Sequence, residues 1–222
     1  MKLAIFDLDH TLLAGDSDYE WGNFLVSEGV VDTQYYQQKN DEFYQQYQDK
    51  TLDIIEYQEF VLAPLTQLSS DQRNSLHHRF MATVIAPLRQ QRADDLIAKH
   101  QKNGDTLLVI TATNHFIASP IVRAMGIHNV LATDPEIVDG QFTGKVMGTP
   151  CFQKGKIMRL QSWLTQQEKD HQKTFNHMTF YSDSINDAPL LGYVNRAIAV
   201  DPDDKLRRLA EEKNWDIISL RE

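Results

Sequence analysis

Cysteine is nearly absent: Cys151 stands alone in 222 residues. No intramolecular disulfide can form, and a reducing cytoplasm is the expected setting. Long apolar runs are missing too. Nothing approaches the roughly 18 residues of a membrane span, and the opening MKLAIFDLDH passes from a short apolar stretch straight into acids. That pattern fits neither a transmembrane helix nor a secretory signal peptide. Positive charge is scarce, with 22 Lys and Arg against 31 Asp and Glu, a net −9 with His neutral. A chain this acidic is a poor generic partner for nucleic acid or an anionic membrane. If its ligand is an anion, a few aimed donors or a bound cation must reverse the sign locally. The 41% hydrophobic and 24% charged content is ordinary globular usage, which excludes fibrous and disordered classes. The length suits one large domain, or a compact core carrying one insertion.

What is present is a series of short, almost continuous apolar runs. They are Lys2 to Phe6, Thr106 to Ile110, Asn129 to Ala132, Met178 to Ser182 and Arg196 to Val200. Such runs suit strands buried on both faces. Helix-length segments at 93–101, 116–125, 156–167 and 203–213 alternate with them. The expectation is an α/β fold, a Rossmann-like parallel sheet with right-handed crossovers. Residues 136–146 break the alternation, and Asp139-Gly140 is a hairpin signal. Residues 14–85 differ in character. They are rich in Gln, Tyr, Asp and Glu, lack a buried strand, and show helical spacing at Phe43, Tyr47, Ile54, Tyr57 and Val61. The plain reading is a two-helix crossover. At about 70 residues the segment exceeds a usual βα connection, which favours a helical cap over the first strand's carboxyl end. The core is then 1–13 with 86–222, and the cap is 14–85.

Four polar clusters follow or flank these runs. Asp7-Leu8-Asp9-His10-Thr11 follows the first strand, and carboxylates two apart in extended chain can face one site. Two such charges need a cation or a shared proton. Otherwise they are a solvated strand end. Asp183 and Asp187 in YSDSIND follow a later strand, where helix capping is the plain alternative. Thr111-Ala112-Thr113 ends a strand just before a helix, a phosphate cradle or an ordinary cap. Lys154 and Lys156 open a helix, where their charge opposes the helix dipole unless something requires it there. Each cluster alone is weak. In a parallel sheet, however, the strands' carboxyl ends share one edge, where ligands bind.

Together these motifs resemble the haloacid dehalogenase-like (HAD) hydrolases over the whole chain. The helical insertion and the hairpin near Gly140 look most like the phosphoserine-phosphatase-like branch. FDLDHTLLAGDS, WGNFL, TATN, CFQKGK and YSDSINDAPLL further resemble the bacterial histidinol-phosphatases grouped in it. The resemblance implies hydrolysis of a small phosphoester with Mg²⁺. It makes Asp7 the nucleophile and Asp9 the general acid and base. Asp7, Asp183 and the Asp9 carbonyl become metal ligands, with Asp187 behind them holding Lys156 or a coordinated water. Thr111, Ala112, Lys156 and, less directly, Asn186 would meet the phosphate. A dehalogenase would need neither Asp9 nor a metal, and a phosphonatase would need a Schiff-base lysine in the cap. A phosphotransferase, a phosphate-binding protein and an acidic interaction module complete the alternatives. No nucleic-acid or membrane partner is expected, and the sequence does not specify an oligomeric state.

In phosphoserine phosphatases the cap supplies an arginine that clamps the substrate carboxylate. No arginine precedes Arg73 here, and residues 14–80 hold twelve acids against four bases, a net −8. That balance disfavours a carboxylate and favours an amine. Asp16 falls where the resemblance puts a carboxylate near the substrate amine. Histidinol phosphate carries an amine and an imidazole but no carboxylate, so it fits better than phosphoserine. The alternative is that these acids are a solvated surface. Trp21 and Phe24 read as core, with Trp21 also able to stack on an imidazole. Cys151 reads as a small buried side chain.

Overall fold

The computed structural model describes residues 1–221. Strand β1 (Lys2–Phe6) is followed by a tight turn at Leu8–Leu12 and helices α1 (Ser17–Ser27), α2 (Thr33–Asp49), α3 (Ile54–Leu62) and α4 (Ser70–Phe80). Helical turns continue to Leu88, and α5 (Gln91–Lys102) leads into β2 (Thr106–Asn114). Then come α6 (His115–Ala124), β3 (Asn129–Val138), β4 (Gln141–Met147), α7 (Lys154–His171), β5 (His177–Ser182), β6 (Arg196–Val200), α8 (Asp204–Lys213) and β7 (Asp216–Ile218). The strands form one sheet in the order β4-β3-β2-β1-β5-β6-β7. All neighbours are parallel except the β3–β4 hairpin.

The apolar runs are continuous because both sheet faces are covered. Alternate residues enter two separate cores: Ala4, Phe6 and Val109 on one side, Leu3, Ile5 and Leu108 on the other. Helices α5 and α6 contribute Ile97 and Ile121 to the first core, while α7 and α8 contribute Leu160 and Leu206 to the second. At the hairpin Asp139 and Gly140 both take positive φ, 50° and 77°, which suits a two-residue turn with the sheet's own twist.

Several boundaries differ from the sequence expectation. Strand β2 runs on to Asn114 and β3 to Val138, because their polar ends stay paired with neighbours. Helix α7 begins at Lys154. The three-residue β7 carries no apolar run and was not expected. Trp21 is fully buried against Phe24, Phe80 and Phe116, so it is core and does not face the site. The acids at 32 and 53 are spent as N-caps of α2 and α3, and most others on these helices are exposed.

Strand register assembles the site. Phe6 pairs with Val109 on one side and Tyr181 on the other. The residues just beyond, Asp7, Thr111 and Asp183, therefore meet at one edge of the sheet.

Candidate active site

Asp7 sits at that edge with its backbone N–H donating to the Tyr181 carbonyl at 2.9 Å. The residue is 6% exposed. Lys156 Nζ donates to Asp7 Oδ1 at 2.9 Å and to Asp187 Oδ2 at 2.7 Å. The Ser182 hydroxyl also donates to Asp187 Oδ2, at 2.7 Å. Burial pushes the Asp7 carboxyl up to about 7, Lys156 pulls it back, and Asp187 and Asp9 push it further up. Burial alone would lower the Lys156 ammonium, but Asp187 and Asp7 outweigh it and hold the proton firmly. Lys154 is exposed, so of the two lysines Lys156 is the one inside. Its placement depends on Gly155. A side chain there would strike the Pro150 carbonyl, so only glycine lets α7 start this close to the preceding loop.

Asp183 is held from both ends by Thr11. The Thr11 hydroxyl donates to Asp183 Oδ1 at 2.9 Å, and the Asp183 N–H donates back to it at 3.0 Å. Burial first, and then Asp7, raise the Asp183 carboxyl well above its usual range. Asp9 lies across the site. Its Oδ1 accepts the Ser17 N–H at 2.6 Å, and its Oδ2 accepts the Thr113 hydroxyl at 2.7 Å and the Thr111 hydroxyl at 3.5 Å. His10, between Asp9 and Thr11, adopts φ 54°, a left-handed conformation uncommon outside glycine.

The capping alternatives do not hold for the threonines or for Asp183. Asn114 caps α6 by accepting the Ile117 N–H, and Ser184 caps the turn after Asp183. Thr111 and Ala112 both line the cavity above Asp7. Asn186 lines it too, with Nδ2 donating to the Tyr47 carbonyl at 3.5 Å. Cys151 is buried, and its thiol is pushed up to about 12 by burial, so it is no thiolate. The residues anticipated in the sequence line one cavity of about 50 Å³, except Asp183, which lines a second cavity sharing His10, Tyr47 and Asn186 with the first.

Asp16 and Asp18 face the same cavity from the start of α1. Asp16 Oδ1 accepts the N–H groups of Asp18 and Tyr19, at 3.0 and 2.9 Å. Sequence reasoning named Thr11 and Thr113 only as members of their motifs and gave no role to Asp18 or Gln58. Their side chains bond Asp9, Asp183 or one another across long sequence separations. Only the Thr in DxDxT, at a fixed spacing from the acids, carried a usable signal.

The donor set suits a hard divalent cation. Asp7, Asp9, Asp183 and Asp187 share the site with one buried ammonium, which contacts only Asp7 and Asp187, while the Asp183 side chain receives the Thr11 hydroxyl. Among the described residues no three His, Cys, Asp or Glu side chains form a ready-made cage. Mg²⁺ does not need one, since it binds through one or two carboxylates and keeps several waters.

A family model described as haloacid dehalogenase-like hydrolase matches residues 4–192. A histidinol-phosphatase from Neisseria meningitidis serogroup C is 41% identical over 99% of both chains. A solved protein of unknown function from Bordetella pertussis Tohama I is 40% identical, with a TM-score of 0.91 over 99% of this chain and 98% of that one. A substrate-bound phosphoserine phosphatase shares the fold at TM-score 0.70 and 16% identity, over 99% of this chain and 93% of that one. The chain belongs to the haloacid dehalogenase-like hydrolase family, and it is a phosphatase of that family. Among the described residues no helix is long and apolar enough to cross a membrane.

Proposed function

We propose that the chain is a Mg²⁺-dependent phosphomonoesterase that works through an aspartyl-phosphate on Asp7, with L-histidinol phosphate as substrate. The observation that carries this reading is the buried Lys156 bridging Asp7 and Asp187, beside Asp183 and across from Asp9.

Phosphoryl transfer needs a positioned nucleophile, neutralised phosphate oxygens and a proton for the leaving oxygen. Asp7 attacks phosphorus, forming a carboxyl O–P bond as the ester P–O bond breaks. Asp9, protonated, gives its proton to the departing alcohol oxygen. Asp9 then takes a proton from water as the water attacks the acyl phosphate. Inorganic phosphate leaves, and Asp7 returns to a carboxylate. Lys156 and the Thr111 hydroxyl neutralise the phosphate oxygens, aided by the Ala112 N–H and Asn186. The Ser17 N–H and Thr113 hydroxyl hold Asp9 in line. Asp7, Asp183 and the Asp9 carbonyl would hold Mg²⁺, which when bound would neutralise charge on the nucleophile and the transferring group.

The segment 14–85 serves as a cap. Its Tyr47 hydroxyl reaches Ser184 at 3.1 Å, and its Gln58 reaches the Ala112 carbonyl at 3.4 Å. Substrate choice follows from what the cap presents. No arginine lines the cavity. Arg73 is buried on the carbonyls of Leu65 and Leu68, with Phe142 beneath its guanidinium. Nothing there would clamp a substrate carboxylate, whereas Asp16 would attract an amine. The histidinol-phosphatase at 41% identity supports the same choice. The enzyme then acts in the cytoplasm on a free metabolite of histidine biosynthesis.

Phosphate release from histidinol phosphate, phosphoserine and simpler phosphoesters, with and without Mg²⁺, tests this. The expected result is Mg²⁺-dependent release with histidinol phosphate favoured. Preference for phosphoserine would overturn the substrate assignment alone, and no Mg²⁺-dependent release from any ester would overturn the whole reading.

A further inference from the structure

Asp18 is 5% exposed, and its Oδ1 is buried with no hydrogen-bond partner. Its other oxygen accepts from Gln58 Nε2 at 2.8 Å. Buried polar atoms are almost always paired, and a buried carboxylate oxygen left unpaired is unfavourable enough to require explanation. Among the described residues no donor pairs with it; the Tyr36 hydroxyl, on which the Asp18 charge acts, is likewise buried without a partner. Asp18 lines the cavity beside the aromatic side chains of Phe43, Tyr44 and Tyr57.

Gln58 is fixed from the sheet side, so its amide is held in place to donate to Asp18. Asn114 Nδ2 donates to Gln58 Oε1 at 3.3 Å, while Asn114 itself caps α6. Asp9, Asp16 and Asp18 line the same cavity. Successive backbone groups at the start of α1 tie them together: the Ser17 N–H donates to Asp9 Oδ1 at 2.6 Å and the Asp18 N–H to Asp16 Oδ1 at 3.0 Å.

We propose that Asp18, held by Gln58, is a specificity-determining residue whose free Oδ1 accepts an N–H from a flat, nitrogen-bearing ring at the far end of the substrate. The inference deepens the functional reading above and rests on it. With phosphorus at Asp7, the ester oxygen falls at Asp9 and an amine on the next carbon at Asp16. A ring nitrogen a few bonds further reaches Asp18 between aromatic walls. An imidazole suits this position because it is flat, offers an N–H, and as a cation pairs with both carboxylate and aromatic faces.

The test uses unphosphorylated amino alcohols, so it requires no turnover and stands apart from the phosphatase assay. Dissociation constants are measured by NMR titration for L-histidinol and for L-2-aminopropanol, which has a methyl in place of the imidazolylmethyl group. The wild type is expected to bind histidinol about tenfold or more tighter, and Asp18→Asn to lose that preference while holding aminopropanol unchanged. A preference that survives the substitution, equal weakening of both ligands, or no preference in the wild type would overturn the proposal. Should Asp18→Asn fail to fold, the two ring-N-methylated histidinols decide the matter on the wild type. At least one must bind no better than aminopropanol, and if both bind like histidinol the proposal falls.

Discussion

Lys156 Nζ lies 2.9 Å from Asp7 Oδ1 although 149 residues separate them in sequence. Both side chains are buried, and the same ammonium holds Asp187. Lys156 thus links the end of β1 to the start of α7 and to the loop after β5.

Removing one partner of a buried ion pair leaves an uncompensated charge, which is much worse than removing both. Lys156→Met should lower stability by about 3 kcal/mol and turnover by about a hundredfold or more. Urea unfolding and steady-state kinetics check the two effects separately. Loss of activity at full stability would restrict Lys156 to contacting phosphate.

Gly155 acts one residue earlier. Gly155→Ala sets a methyl against the backbone carbonyl of Pro150, so the start of α7 must move. A cost of about 2 kcal/mol is expected, with kcat reduced about tenfold as Lys156 leaves its position. Thermal unfolding and kcat measured on one preparation test the linkage. An active, fully stable variant would contradict it.

Asp16 makes a pH prediction. Burial, and then Asp9, push its carboxyl from 3.8 up to about 7 in the folded chain. Below pH 3.8 both folded and unfolded states hold the proton, and stability is complete. As pH rises towards about 7 the unfolded carboxyl ionises while the folded one does not, so stability falls across that window. Asp16→Asn cannot ionise and still caps α1. Its stability relative to wild type, in metal-free buffer, should therefore rise between pH 4 and pH 7.5. The gain should be about 1 kcal/mol, below the full shift because Asp16 keeps an edge open to solvent. Denaturant unfolding at several pH values checks it, and a difference that does not vary with pH would contradict it.

The sheet was legible in sequence because its strands are buried on both faces, which makes each an uninterrupted apolar run. Asp7, Thr111 and Asp183 were legible because parallel strands deliver their carboxyl ends to one edge. Strand β7, with three residues and a half-buried pattern, carried no such signal. Nor did Asp18 and Gln58, whose role arises from a contact across 40 residues. The acidity of residues 14–80 was the least direct guide. Of its twelve acids only Asp16 and Asp18 line the cavity, while Asp32 and Asp53 cap helices.

The proposed mechanism depends above all on Asp7 carrying the phosphoryl group. Acid quenching during turnover of histidinol phosphate with Mg²⁺, followed by peptide mass mapping, tests it most directly. The mechanism predicts a phosphoryl group on Asp7, seen only with Mg²⁺ and absent from an inactive Asp7→Asn variant. Wild-type turnover by Asp7→Asn, or a phosphoryl group trapped on another residue, would contradict it.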